Sequence, residues 1–277
     1  MSNKRETEVP RTEAPPWKRG SELSFTRQLL SNPPVGEGYI RRITAAEDFR
    51  PIISFEANAR FPQDTEAQNR ILRTYEKTME QHKNKKKRRS GAEAATHPTR
   101  AALAILQNPS FSELHAAIMF FHDLIEDCNV SPKEVQAMAH EIGYTQDAKR
   151  IAQAVSALSR VDDKGNKIED EALYMEGLAI IHQDDPELRI VELKSTDTID
   201  NTKDDTFMLV VRPEEANREK IKKYNVGEDG VTGKIEKVIA LATATVPDAK
   251  TTHDLIALRE YNMQLTDQPT VVWKGAA

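Results

Sequence analysis

The amino-acid sequence predicts an all-α fold. Three observations lead to this prediction: apolar residues recur at helical spacing after residue 66, signals that open helices recur along the chain, and strand signals are nearly absent. Apolar side chains make up 38% of the 277 residues and charged side chains 30%. That composition supports one sizeable core with a well-solvated surface, so we expect a single helical domain with extensions.

The N-terminal segment has a different composition. Residues 1–38 place prolines among charges and serines and offer too little apolar surface to pack alone, which predicts a flexible arm. The start of the chain lacks the apolar centre of a secretory signal, and no run approaches the roughly 20 apolar residues that a bilayer requires. We therefore expect a cytoplasmic protein.

The predicted helices follow in chain order. The first periodic stripe begins near Glu66. Ser110 and Glu113 resemble a capping box that opens one continuous helix through residues 111–127, and Ser131 with Pro132 opens another directly afterwards. An alanine-rich helix is expected over residues 146–160.

The second half contains a turn, a helix and a break. Residues 162–167 predict the turn, Asp185 and Pro186 open a helix over residues 187–202, and glycines mark a break from Gly227 to Gly233. Two amphipathic segments then follow. We expect residues 39–225 to form the domain and residues 226–277 to form a helical extension packed on it.

Charge and cysteine content narrow the function. Lysine and arginine number 39 against 44 acidic residues, a net charge of −5 that gives no reason to expect a dedicated nucleic-acid binder. Cys128 is the only cysteine, which excludes an intrachain disulfide and any site of several thiolates. A metal would therefore be held by nitrogen and oxygen. Cys128 has no base nearby in sequence, so a nucleophilic role is not expected.

A polar cluster follows one of the most apolar runs of the chain. Residues 115–121 lead directly into His122, Asp123, Glu126 and Asp127. On a continuous helix, side chains four apart share a face, so these groups would crowd one edge. Burying the carboxylates would cost several kcal/mol each unless a proton or a cation compensates. A divalent metal is the simplest compensation, and a solvated acidic helix end is the alternative.

Two distant segments favour the metal. His97 precedes a proline at a predicted helix start, and Asp197 and Asn201 lie four apart in an otherwise aliphatic helix. An aspartate on the same stripe as Ile190 and Leu193 is unusual for a residue that only adds solubility.

These residues carry a resemblance to a known family. The order of His97, the His122 and Asp123 doublet, and Asp197 resembles the metal-ligand pattern of the HD phosphohydrolase superfamily. HDLIED, residues 122–127, resembles the HDxxED variant of the alarmone hydrolase domain in RelA/SpoT homologues. RRSG at 88–91 resembles the family's RKSG segment, and LKSTDTIDN at 193–201 resembles its LADRLHN helix. The resemblance covers roughly residues 80–205.

The resemblance implies a fold, a metal and a reaction. The fold would be an HD-domain helical bundle with additional flanking helices. One divalent ion, with manganese expected, would be held by His97, His122, Asp123 and Asp197. The reaction would remove the 3′-pyrophosphate from guanosine tetra- or pentaphosphate and yield GDP or GTP with pyrophosphate.

The resemblance also assigns roles around that metal. Glu126 and Asp127 would be catalytic, orienting a water molecule and moving protons. The nucleotide would be bound by four residues: Arg88, Arg89, Ser90 and Asn201. For the preceding part of the basic run, residues 83–87, a solvated loop or a nonspecific polyanion patch is favoured.

The sequence departs from the family pattern at positions that bear on which nucleotide is bound. Arg89 replaces the usual lysine, and Thr198 and Asp200 replace the arginine and histidine of LADRLHN. These changes spare the predicted metal ligands but leave the preferred nucleotide open between guanosine and adenosine 3′-pyrophosphates.

Several functions other than a housekeeping hydrolase are compatible with these motifs. The same site would serve an antitoxin that destroys the product of a cognate small alarmone synthetase, which is then a further candidate partner. An HD phosphohydrolase of another specificity fits the motifs as well, and so does a binding protein with a degenerate HD site.

The remaining histidines are not predicted ligands. His115 could support a metal ligand or lie as a satisfied core histidine, and the second is favoured. The others, which lack companions at ligand spacing, are expected at the surface: His82, His140, His182 and His253.

Overall fold

The structure is a computed structural model that describes residues 43–161, 166–211, 215–226 and 233–267. The predicted N-terminal arm, residues 162–165 of the predicted turn, and residues 227–232 of the glycine-marked break lie outside the described residues.

The described residues are mostly helical and confirm the all-α prediction. Short 3-10 helices cover Ala46–Phe49 and Pro186–Leu188, and extended pairing within the described ranges is one isolated bridge between Val161 and Lys167. In chain order the α-helices are α1 (Arg50–Arg60), α2 (Thr65–His82), α3 (Thr96–Leu106), α4 (Glu113–Phe121), α5 (Leu124–Cys128), α6 (Pro132–Ile142), α7 (Ala148–Leu158), α8 (Glu171–Asp184), α9 (Ile190–Val211), α10 (Glu215–Val226), α11 (Lys234–Thr245) and α12 (Lys250–Asp267).

Helix α4 lies at the centre of the main core. All of its residues from His115 to Phe121 are buried, and it packs against α2, α3 and α7. A helix that is apolar all round has no solvated face, which explains its central place. The Tyr75 ring packs edge-on against Phe120 with centroids 6.1 Å apart, and its hydroxyl donates to the carbonyl of Ala46 at 2.6 Å. The C-terminal end of α4 thus delivers His122 into the interior.

The C-terminal helices pack on α9. A second apolar cluster joins Ile199 of α9 to Val238 of α11 and to Leu255 and Leu258 of α12. These contacts bring α11 and α12 against the helix that carries Asp197. None of the helices among the described residues combines the length and the apolarity needed to cross a membrane.

The predicted continuous helix over residues 111–127 is wrong at its start and in its interior. Its N-cap is Ser112, paired with His115 in a capping box, rather than Ser110 with Glu113. The helix also breaks at His122 and Asp123, between α4 and α5. Ser159 Oγ donates to the His122 carbonyl at 2.8 Å and thereby satisfies an acceptor that the helix ladder no longer uses.

Two other predicted helix starts have different outcomes. The helix start predicted at Ser131 and Pro132 is confirmed, with Ser131 as the N-cap. The Ser131 amide donates to the Glu134 carboxylate at 2.8 Å, and the Glu134 amide donates to Ser131 Oγ at 3.3 Å. The helix predicted to open at Pro186 begins later, at Ile190. The 3-10 turn and the left-handed Arg189 (φ 49°) intervene.

Candidate metal centre

Four helices position the predicted metal ligands. His97 lies in the first turn of α3, His122 directly follows α4, Asp123 precedes α5, and Asp197 lies within α9. His97, His122 and Asp197 are buried, with 1%, 2% and 5% of their surfaces exposed. Asp123 is partly exposed. Segments that are 100 residues apart in sequence thus meet in one place.

The ligand atoms converge at the spacing of a shared ion. His97 Nε2 lies 3.1 Å from both His122 Nε2 and Asp197 Oδ1, and 3.6 Å from Asp123 Oδ2. His122 Nε2 lies 3.1 Å from Asp123 Oδ1 and 3.5 Å from Asp197 Oδ1. Adjacent donor atoms that share an ion at about 2.1 Å are separated by roughly 3 Å, so these distances fit one coordination sphere.

The tautomer of each histidine is set by the hydrogen bond that its Nδ1 makes, on the side of the ring away from the centre. His97 Nδ1–H donates to Asp200 Oδ2 at 2.7 Å, and His122 Nδ1–H donates to the carbonyl of Met119 at 2.8 Å. Both partners are acceptors, which leaves the two Nε2 lone pairs directed at the centre. The atoms His97 Nε2, His122 Nε2 and an Asp123 oxygen lie within 4.8 Å of one another. They could hold a metal ion.

The charges of the centre demand a cation or protons. Burial acts to lower the pKa of His122, but the carboxylates of Asp123 and Asp197 outweigh it and raise that pKa to about 9. Burial acts to raise the pKa of Asp123, and the charges of His122 and His97 lower it. Lys194 holds the pKa of Asp197 well below its usual range, against burial, by donating to Oδ2 at 2.8 Å. The centre stabilises positive charge.

The donor set decides which ions fit. Two imidazoles and two carboxylates, with no thiolate, suit a hard or borderline ion such as manganese, iron or zinc. The thiol of Cys128 is partly buried, and this burial raises its pKa to about 11. Because the thiolate is the reactive form, Cys128 is unsuited to be a nucleophile.

The predicted catalytic acids lie at the rim. Glu126 and Asp127 belong to the first turn of α5 and are both exposed. Partial desolvation and the charge of Asp123 raise the pKa of each carboxyl above its ordinary value. Lys194 and Lys234 oppose that effect at Glu126. Each of these carboxyls therefore binds a proton more readily than a free carboxyl does.

The structure brings two of the four predicted nucleotide residues together. Arg88 Nη2 donates to Asn201 Oδ1 at 2.9 Å, and Asn201 Nδ2 donates to Asp197 Oδ1 at 2.7 Å. Arg89 is exposed, and Ser90 Oγ is buried without a hydrogen-bond partner. Neither side chain has a hydrogen bond to the centre within the described part of the chain.

Several polar residues around the centre were not expected from the sequence. Arg100, Lys194 and Asp204 are buried and contact residues of the site. Lys194, Asp197 and Asp204 lie three to seven residues apart on one face of α9, and Arg100 follows His97 by one turn of α3. That helical spacing was a usable signal, because charged residues on one stripe of a buried helix need partners.

Two other histidines now have defined places. His115 is a satisfied core histidine, as favoured, because Nδ1 accepts from the Ser112 amide at 2.9 Å and Nε2 donates to the Glu187 carbonyl at 2.8 Å. The prediction that His82 lies at the surface is wrong. It is buried at the end of α2, with Nδ1 donating to the Thr78 carbonyl at 2.9 Å and Nε2 left without a partner.

Comparison with known proteins adds no relative. A scan of protein-family models, a search of curated proteins and a search of solved structures each found no match. The family resemblance therefore rests on the residues of the motifs themselves.

Proposed function

We propose that this protein is a metal-dependent phosphohydrolase of the HD type that removes the 3′-pyrophosphate of alarmone nucleotides. The observation that carries the proposal is the convergence of His97, His122, Asp123 and Asp197, at 3.1–3.6 Å between neighbouring atoms, on one buried point. These four residues would hold a divalent ion, with manganese as the expected one. When bound, such an ion supplies Lewis-acid polarisation of phosphoryl oxygens and activation of water.

The carboxylates of Glu126 and Asp127 would act as general acid and general base. Glu126 and Asp127 flank the centre from α5, where they can orient a water molecule for attack on phosphorus and return a proton to the leaving group. The raised pKa of each carboxyl supports this role, because it favours the protonated form that a general acid needs.

The nucleotide would be bound through Arg88 and Asn201. The Arg88 guanidinium is partly buried, with its side chain 22% exposed, and it is held by Asn201 and Asp204. A guanidinium fixed in this way can stack on a purine, and Asn201 can reach the sugar from its position beside Asp197.

A second candidate is an HD phosphohydrolase that acts on another nucleotide. Arg89 is exposed and Ser90 Oγ has no hydrogen bond to the centre in the described structure, so only part of the family's nucleotide motif is bonded to the site. The metal centre would be the same, and the substrate would differ.

The test is an assay of the purified full-length protein. With manganese and guanosine tetraphosphate we expect pyrophosphate release, and with Asp123→Ala we expect none above background. Asp184→Ala is the matched control, because Asp184 is exposed at the end of α8, away from the motifs.

The outcomes separate the candidates. Wild-type activity on a different nucleotide, lost in Asp123→Ala, would favour the second candidate. Full activity of Asp123→Ala would rule out the metal centre, and no activity on any nucleotide pyrophosphate would refute the alarmone function.

A further inference from the structure

A buried ionic contact supports His97 from behind. The Nδ1–H of His97 donates to Asp200 Oδ2 at 2.7 Å, on the side of the ring opposite the centre. Arg100 then grips Asp200 with two groups, with Nε 3.1 Å from Oδ1 and Nη2 3.0 Å from Oδ2. All three side chains are buried. The carboxylate is thus fixed by a bidentate guanidinium rather than by solvent.

The same arginine serves a second carboxylate. Arg100 Nη2 lies 3.2 Å from Asp204 Oδ1, and Asp204 Oδ2 lies 3.2 Å from Arg88 Nε. Asp200 and Asp204 are four residues apart on one face of α9. One carboxylate of the pair therefore contacts a candidate metal ligand, and the other contacts the candidate nucleotide arginine.

Asp200 accepts a hydrogen bond from a candidate histidine ligand, and such a carboxylate affects how the histidine binds a metal. A carboxylate that accepts from Nδ1–H keeps the proton on that nitrogen, holds the ring in place and makes Nε2 a stronger electron-pair donor. A buried carboxylate is costly without a partner, and Arg100 supplies the partner from the same helix as His97.

We propose that Asp200, held by Arg100, is a positioning residue that fixes His97 as an Nε2 ligand and raises the affinity of the centre for its divalent ion. Asp204 lies beside it and shares Arg100, yet it acts on Arg88 instead. This inference rests on the proposed metal-dependent function.

The experiment is calorimetric titration of manganese alone into the metal-stripped full-length protein. Asp200→Asn keeps the shape of the side chain and removes its charge, so we expect manganese affinity to fall by about 10–100-fold. Asp204→Asn is the matched control. It removes the charge of the other carboxylate that Arg100 contacts, and that carboxylate is not the one that accepts from His97. We expect Asp204→Asn to bind manganese as the wild type does.

Proton NMR distinguishes a loss of His97 positioning from a general loss of structure. In the zinc-loaded protein we expect a slowly exchanging imidazole N–H signal from His97 Nδ1, identified by its loss in His97→Gln. Asp200→Asn should shift that signal, and Asp204→Asn should leave it in place.

Each outcome decides the inference. Wild-type manganese affinity in folded Asp200→Asn would overturn it and leave the proposed function standing. A wild-type protein that binds no divalent ion would overturn both. Should Asp200→Asn fail to fold, Arg100→Lys keeps the charge but loses the bidentate grip, and unchanged manganese affinity in that variant would overturn the inference.

Discussion

At the residue scale, hydrogen bonds fix the side chains of the candidate metal centre. Each candidate histidine commits Nδ1 to an acceptor, Asp200 for His97 and the Met119 carbonyl for His122. Lys194 holds one oxygen of Asp197, so the other faces the centre. Side chains fixed in this way lose little conformational entropy on binding, which favours affinity.

The rim acids give a prediction about turnover. We expect Glu126→Gln and Asp127→Asn each to lower kcat by about 10²–10⁴-fold, because an amide cannot exchange a proton with water or the leaving group. Manganese affinity measured by calorimetry should stay close to that of the wild type. A variant that loses manganese binding in parallel with kcat would instead make that carboxylate a metal ligand.

The two arginines of the basic segment give a prediction about substrate affinity. Arg88 contacts Asn201 and Asp204, whereas Arg89 is exposed. We expect Arg88→Ala to raise KM by roughly 10–100-fold, the loss of one charged hydrogen-bonding group. Arg89→Ala should have a smaller effect. Equal effects in steady-state kinetics would show that both arginines, and not Arg88 alone, bind the nucleotide.

At the element scale, the break between α4 and α5 shapes the site. Asp123 has φ −93° and ψ −2°, so the chain turns before α5 starts. The turn separates the buried His122 from the exposed Glu126 and Asp127. A continuous helix would have put His122 and Glu126 on one face. The break therefore allows ligands to point inward while the acids reach solvent.

The capping histidine of α4 gives a prediction about pH. Burial lowers the pKa of His115 below its ordinary value of 6.5, against the hydrogen bond to the Glu187 carbonyl. A base whose folded pKa is depressed stabilises the fold fully above pH 6.5, and this stabilisation is lost as pH falls below it. A proton on Nδ1 would also meet the Ser112 amide that donates there.

The test compares His115→Gln with the wild type. Glutamine at this position can still accept from the Ser112 amide but does not titrate. We expect the wild-type free energy of unfolding to fall more steeply between pH 6.5 and 5, by no more than about 1.4 kcal/mol per pH unit. Urea denaturation at a series of pH values measures this, and identical pH dependence in both proteins would contradict the assignment.

At the scale of the whole molecule, the helices that position the candidate ligands come from distant parts of the described chain. Helix α9 contacts α3, α11 and α12 and carries Lys194, Asp197, Asp200 and Asp204 along one face. Lys234, the first residue of α11, lies with its ammonium 5.6 Å above the Tyr224 ring of α10. The C-terminal helices thus contribute to the surroundings of the site as well as to the core.

Because the ligands come from distant segments, an ion that binds them should stabilise the whole fold. Binding only the native state stabilises it by about 2.7 kcal/mol when the ion is present at 100 times its Kd. We expect manganese to raise Tm of the chelator-treated protein by roughly 5–10 °C, measured by thermal denaturation. Asp123→Ala should show little of this increase. An equal increase in that variant would indicate binding elsewhere.

The sequence by itself determined the helical class, because helical periodicity and N-caps are local properties that act within a few residues. It also pointed to the residue types of the centre, since His97, the His122 doublet and Asp197 stand out against apolar surroundings. The tertiary structure alone decided that these residues meet, that the helix breaks at His122, and that His82 is buried.

The contacts that these site residues make with distant residues could not be predicted from local sequence patterns either. Asp200 contacts His97 from 103 residues away, and Arg88 contacts Asn201 from 113 residues away. No spacing rule along one helix predicts such pairs, because they depend on how α3 and the segment before it pack on α9. A buried charge without a partner is costly, so buried charged residues lie in pairs. That cost arises only once the helices have packed and removed the charges from water.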